Sequence, residues 1–529
     1  MSPRKEVLVG LFSALVIFVT AVSVGIYVMN DPMLPAALSF SMAAAQIAEV
    51  YPLPFSEEDV FNYAERSLFH RLDPFSFRIE SKEFNYMLEE LSGAYGGIGI
   101  SVIPRDTAIM VITVREGGPG DAAGMRSGDM IIGVGGRPVP HDDPGSIIDE
   151  IRGPSGTTIE MLLYRPSLDD TLTVRVMRAD IKLDHLVFYG MTHDRAAYIR
   201  IADFEAGAAE DLRIALLGLE YRSPIGYIID LRGNPGGYLN EGVNGADLFL
   251  DEGQLIVGMD SRSRWDNRRF YSQQKPLTTR PVVMLTDRGT ASAAEIFCGA
   301  LRGADRGVVV GDTTFGKGLV QSVYGIFGGD AMRLTTARYY FADGRYLNPP
   351  DSELTFSGLA PDLFFEEKGE IAFENLILST FILYDFIDRE WDFLSQLPDR
   401  ETYPDTVIDL FEDFARQEGI LYRSWTTETF EAALNQQVTG EGLARIVEKL
   451  DELERLSRDV DGLVYHRMNT FLKLHIRRMV VERKYGRAVA YRDVIVPSQL
   501  IVKTAADILN DESRYQDLLR GNQATAAKE

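Results

Sequence analysis

With one cysteine in 529 residues, Cys298, the chain has no second thiol for an internal disulfide, and cysteine usage reveals no redox compartment. Histidine is scarce as well: there are six, and none falls between His193 and His466. Neither residue clusters at ligand spacing, so no metal and no organic cofactor is implied. Positive charge is in deficit, with 54 Lys and Arg against 78 Asp and Glu and a net charge of −24. That balance argues against nucleic acid or an anionic membrane surface as partner. Charge of either sign is missing from residues 7–29, VLVGLFSALVIFVTAVSVGIYVM, which Arg4 and Lys5 precede. A bilayer span needs about 20 apolar residues, and a cleaved leader has a shorter apolar core of roughly 7–15. The length predicts an uncleaved anchor, with Ala21-Val22-Ser23 leaving cleavage open. Basic residues ahead of the span place the N-terminus in the cytoplasm and the rest outside, in the periplasm or beyond.

What remains is an ordinary globular composition, 45% hydrophobic and 25% charged, long enough for three or four domains. The organising stretch is 281–325. An apolar run from Pro281 to Leu285 has strand length, Thr286–Thr290 is a turn, and a helical pattern runs from about Ala291 to Leu301. A second apolar run, Val308–Val310, meets the Gly-rich loop 311–318, and a third strand begins at Leu319. Strand, tight turn and helix is how α/β enzymes present a nucleophile, because the turn lifts the side chain and the helix N-terminus offers unpaired N–H groups. Ser292 occupies that junction among Gly289, Ala291, Ala293 and Ala294. A hydroxyl needs a base, and a histidine would have to fold in from outside this block. Lys317, between Gly316 and Gly318, is inside it. As a base it must be neutral, which means lowering its pKa from about 10.4 toward ~7. Gln321 follows four residues on and could orient the amine. Taken alone, an arbitrary serine and lysine in these places read first as a helix cap and a solvated loop lysine.

The block resembles the carboxyl-terminal processing, or tail-specific, serine peptidases. Their nucleophile motif matches Gly289-Thr290-Ala291-Ser292-Ala293-Ala294-Glu295. Their lysine segment matches Thr314-Phe315-Gly316-Lys317-Gly318, with Gln321 beyond. The resemblance implies Ser292 as nucleophile, Lys317 as base and Gln321 as its orienting partner. It also makes Arg232-Gly233-Asn234-Pro235-Gly236-Gly237, after the strand Gly226–Leu231, part of the oxyanion hole: Gly236 or Gly237, together with the Ala293 amide. Residues 92–180 resemble a PDZ domain through the run Ala123-Gly124-Met125 to Gly128-Asp129-Met130-Ile131. Such domains bind a C-terminal peptide as an added strand, and the resemblance assigns the carboxylate loop to Gly97, Ile98, Gly99 and Ile100. The resemblance covers roughly 55–365.

The expected fold is mixed α/β: an anchor over 1–30, a helical region over 31–91, an inserted PDZ domain over 92–180, an α/β serine peptidase core over 181–365 and a helical region over 366–529. Residues 464–486 read as a basic helix that meets either solvent or an acidic partner, and 520–529 as a disordered polar tail. The expected function is a membrane-anchored serine endopeptidase acting on protein tails. Its expected partners are peptide C-termini and, through residues 7–29, a membrane. An adaptor protein and a homo-oligomer are left open. The rival readings are a binding protein on the same core and a PDZ scaffold with absent or adaptor-dependent activity.

Overall fold

The computed structural model describes residues 33–526, apart from 53–55, 91–93, 106–107, 166–169, 263–266, 327–328, 349–356, 366–370, 430–448 and scattered positions at 116, 183, 381 and between 421 and 462. The expected anchor at 7–29 lies outside the described residues. Among these, no helix is long and apolar enough to cross a membrane.

The chain forms two compact units, one of residues up to Phe84 with Gln321–Thr335, the other of Asn85–Val320 with Thr336–Glu529. In the smaller unit the helices Met33–Val50 and Glu57–His70 lead to a short strand, Phe77–Ile79. Ser56 and Asp59 cap the second helix reciprocally, each side chain accepting from the other's backbone N–H. The strand pairs antiparallel with 331–333, and Arg78 ties it to Asp330 and Glu65.

The larger unit is built on a six-stranded sheet in the order Leu186–Met191, Ala197–Ile201, Tyr227–Asp230, Val282–Thr286, Val308–Gly311 and Leu363–Phe364. The first strand is antiparallel to its neighbour and the others pair in parallel. The near-continuous apolar runs that signalled strands are those of a sheet buried on both faces. Helices Ala208–Glu220, Leu239–Asp247 and Ala293–Gly303 supply one apolar layer, with Leu212, Phe204, Phe249 and Phe297 fully buried.

The other face is covered by the chain's far end. Ile501, Val502, Ala505, Ile508 and Leu509 of the helix Leu500–Asn510 pack on Tyr198, Ile228, Val283 and Val310. Tyr515 reaches under the sheet edge, its hydroxyl accepting from the Val282 N–H at 3.1 Å. Residues beyond 365 therefore do two jobs. Among the described residues the helices Ile371–Ser379, Ile382–Arg389, Thr406–Gln417 and Asn469–Tyr485 pack around their own core of Phe373, Phe386, Phe411 and Ile476. Those from 496 onward complete the α/β sandwich. The expected disordered tail is corrected in part, since the helix Glu512–Ala526 carries it to 526.

The basic helix is also corrected. Lys473 pairs with Asp405, Lys484 with Asp399, Arg483 with Asp388 and Arg478 with Glu482, and Arg477 donates to the Glu401 carbonyl. Its acidic partner is this chain.

The module inserted before the sheet is an antiparallel sheet in the order Ile100–Arg105, Ala108–Val114, Met130–Val134, Thr158–Arg165 and Asp170–Met177. Its core is Ile109, Val111, Ile131, Met161 and Leu163. The chain enters and leaves this module through a two-stranded ribbon, Ala94–Gly97 against Ala179–Lys182. On the module's far side, Arg105 donates to Asp385 at 3.1 and 3.2 Å and to the Thr380 carbonyl.

Because the helix Leu500–Asn510 is part of the sandwich, Ile508→Ala is expected to lower unfolding stability by about 2–5 kcal/mol, read by urea titration. A surface-exposed change such as Leu500→Ala should cost much less. Equal losses for the two would refute the packing role.

Candidate active site

The site is a meeting of three loops at the C-terminal ends of parallel strands, where α/β sheets bind ligands. The first loop follows Tyr227–Asp230. Asp230 is fully buried. Burial alone would push its carboxyl up, but Arg232, which bonds both its oxygens at 2.9 and 2.6 Å, holds it below the usual range. Tyr198 Oη donates to the same carboxylate at 2.7 Å. From this base the loop runs to Asn234, also buried, whose Nδ2 donates to the Ile201 carbonyl and whose Oδ1 accepts from Gly236 N at 2.8 Å.

The second loop, Asp287–Ser292, is stitched to the first. Gly233 N donates to Asp287 Oδ1, Thr290 Oγ1 to the Leu231 carbonyl and Ala291 N to the Asn234 carbonyl. Ser292 then sits at φ 55°, ψ −116°, a conformation L-residues rarely adopt. Strain of this kind, of order 1–3 kcal/mol, marks functional turns. It is also why the helix begins at Ala293 and not at Ala291. Gly236 presses against this turn: a Cβ there would lie 2.6 Å from the Ala291 carbonyl and 2.8 Å from both Ser292 Cβ and Ala293 N. Only glycine, at φ +95°, fits.

The third loop is 312–318. Phe315 N donates to the Thr290 carbonyl. Its main fastening is Glu295, one turn into the helix and fully buried. Glu295 Oε2 accepts from Ser292 N at 2.8 Å and from Lys317 N at 2.9 Å, so one oxygen joins the two amides. Oε1 accepts from Gly316 N at 2.7 Å and from Thr314 Oγ1. Burial pushes this carboxyl up, and the four donors pull against it. Tyr339 closes the arrangement from behind. Its hydroxyl donates to the Lys317 carbonyl at 2.6 Å and lies 3.3 Å from that of Ser292. Burial, and then the charge of Glu295, raise its pKa well above the ordinary value, so it stays a donor.

The structure thus brings Ser292, Lys317, Ala293 and the 236–237 turn together through the backbone. Of the two glycine amides, that of Gly236 is engaged by Asn234. Among the described residues no backbone carbonyl accepts from the Gly237 N–H. Gln321 belongs to the smaller unit, where its amide lies 3.4 Å from Thr335 Oγ1. In the inserted module, Gly97 ends the ribbon, Ile98 is buried and Gly99 turns at φ +73°. Ile100 opens an edge strand, the element an added strand needs. Cys298 is a core residue, its thiol pushed up by burial.

In the sequence reading Glu295 and Asn234 appear only as members of their motifs, and Tyr339 has no role. For Glu295 a signal existed: Ser292-Ala-Ala-Glu295 has capping-box spacing. Asn234 closes a local turn on Gly236 N, whereas Tyr339 acts through contacts that no local pattern carries.

Residues 195–363 match the profile of peptidase family S41 and residues 110–165 that of a PDZ domain. The carboxy-terminal-processing protease of Bartonella bacilliformis is 32% identical over 301 residues, 56% of this chain and 67% of that one. The carboxy-terminal processing protease CtpB of Bacillus subtilis is 32% identical over 55% of this chain and 61% of its own length. Among solved structures, the photosystem II D1 C-terminal processing protease is 24% identical and covers 62% of this chain and 88% of its own, with a TM-score of 0.38.

Glu295→Gln replaces an acceptor of four hydrogen bonds by a group that must turn an NH2 toward N–H donors. The loss of alignment is expected to lower peptide-bond cleavage by about 10²-fold, together with a lower Tm. Unchanged turnover in a folded Glu295→Gln protein would show that the loops hold without it.

Proposed function

We propose a mechanism and a substrate for a chain that belongs to peptidase family S41, the serine-type carboxy-terminal processing peptidases. Ser292 Oγ attacks the scissile carbonyl and passes its proton to the neutral Lys317 amine. The oxyanion is received by the amides of Gly237 and Ala293, with Gly236 shaping the turn. Lys317 returns the proton to the leaving amine, and water then releases the acyl group by the reverse relay. Gln321 orients the Lys317 amine. The observation that carries this reading is the shared carboxylate oxygen: Glu295 Oε2 accepts from the amides of both Ser292 and Lys317, so nucleophile and base are fixed to one point.

The PDZ module supplies the substrate class. A chain end added along Ile100–Arg105 would leave its carboxylate at Gly97–Ile100, which selects protein C-termini over internal sequence. Residues 7–29 anchor the enzyme by one span with the N-terminus cytoplasmic and the peptidase outside.

The test is cleavage of an unfolded protein with an apolar C-terminus, followed by mass spectrometry. Ser292→Ala and Lys317→Ala should each abolish turnover, and amidating the substrate tail should weaken it. Cleavage surviving Lys317→Ala would place the base elsewhere. Binding of the tail by wild type and both variants, with no cleavage by any, would favour the PDZ scaffold. The anchor is tested separately: deleting residues 1–30 should move the protein from the membrane pellet to the supernatant.

A further inference from the structure

One buried titratable group takes no part in that mechanism. His185, 4% exposed, precedes the first strand of the sheet. Its Nδ1 is 2.7 Å from Asp203 Oδ1, and its own carbonyl accepts from Ala202 N. Imidazole and carbonyl together therefore hold the start of the short turn 203–206. Asp203 Oδ1 closes the turn further by accepting from Glu205 N at 3.0 Å.

That turn is the strap along the Gly236–Gly237 loop. Phe204 N donates to the Gly236 carbonyl and Tyr238 N to the Phe204 carbonyl, both at 2.8 Å. A Cβ on Gly237 would come within 2.4 Å of the Phe204 carbonyl group. The Phe204 ring, fully buried, packs on Phe297 of the helix that carries Ser292. The Gly237 amide can be no better placed than Phe204, and Phe204 sits next to the histidine's carboxylate partner.

We propose that His185, paired with Asp203, is a positioning residue for the Gly237 amide and makes that amide's order depend on the proton carried by the imidazole. Naming this amide an oxyanion donor rests on the mechanism above; the clasp itself does not. With both ring nitrogens protonated, His185 makes a charge-assisted hydrogen bond to the Asp203 carboxylate. Loss of a proton removes the ion pair and leaves a weaker, neutral hydrogen bond.

The groups that set the balance are few. Hydrogen bonding to Asp203 raises the His185 pKa above its ordinary 6.5 despite burial, and the charges of Asp203 and of Asp211, on the helix Ala208–Glu220, add to the shift. Asp184, the preceding residue, is paired with Arg115. Because the folded pKa is raised, the clasp is complete below 6.5 and is lost as pH rises through the folded value. Lysine as a base asks the opposite, since it must lose its own proton, so the two requirements bound activity from two sides.

Hydrogen exchange of a peptide spanning residues 232–244, corrected for the intrinsic pH dependence, tests the clasp whether or not the enzyme turns over. Wild type should show a rise in exchange with a midpoint above pH 6.5. His185→Gln keeps one donor but cannot titrate, so the rise should vanish. Asp203→Asn removes the charge partner, so the midpoint should fall. In a cleavage assay the same midpoint should appear as the alkaline limb of kcat/KM, absent in His185→Gln, and Asp203→Asn should lose about tenfold in kcat with KM little changed. A wild-type exchange profile without the rise, or a rise that persists in His185→Gln, overturns the proposal. Absence of cleavage in every protein would instead count against the peptidase mechanism, while the exchange profile still decides the clasp.

Discussion

Glu295 is the interaction on which the site depends. A carboxylate with no access to water is tolerated only where donors replace the solvent, and here the backbone supplies three of them and Thr314 the fourth. The arrangement makes the Ser292 turn and the Lys317 loop a single object. Without it the two loops, which follow different strands, meet through Phe315 N on the Thr290 carbonyl, Arg288 on Asp312 and the Tyr339 hydroxyl. The strain at Ser292 and the crowding at Gly236 become affordable once a buried charge fixes both loops. Tyr339 works in the same direction on the carbonyl side, so the amide and the carbonyl of Lys317 are both taken.

The same logic continues outward from the site. Asp230 and Arg232 form a second buried ionic anchor at the root of the glycine loop, and a side chain from the far end of the chain, Gln499, completes the Arg232 hydrogen bonding. Gln499 directly precedes the helix that covers the sheet's second face. Residues 496–519 are thus joined to the active-site loop by packing through the sheet and by one polar contact at its edge.

Much of this was legible in the sequence. The strand runs Tyr227–Asp230, Val282–Thr286 and Val308–Gly311 show as apolar blocks because both of their faces are buried. Ser292, Lys317 and the Asn-Pro-Gly-Gly turn stand out because each breaks a regular element with residues suited to special backbone geometry. The division of labour beyond residue 365 was not legible. Both Ile476 and Ile508 are buried in amphipathic helices, and nothing in the local pattern tells a helix that closes a bundle from one that closes a sheet. The basic helix misled for a related reason: Lys473, Arg483 and Lys484 look like an exposed stripe, and their acidic partners lie 68 to 95 residues away in sequence.

The tie between the PDZ module and the helical region bears on how a bound tail could reach the site. A module inserted through one two-stranded ribbon has a natural hinge in that ribbon, and interfaces between domains of one chain are ordinarily mobile. Here the module is held at a second point as well. Arg105, at the end of the edge strand Ile100–Arg105, is bonded to Asp385 and to the Thr380 carbonyl. A C-terminal peptide added along that strand would run beside the residue that ties the module down. Under the proposed tail binding, capture and module attachment share one strand, and occupancy of its edge bears directly on Arg105 and on the ribbon that begins at Ala94.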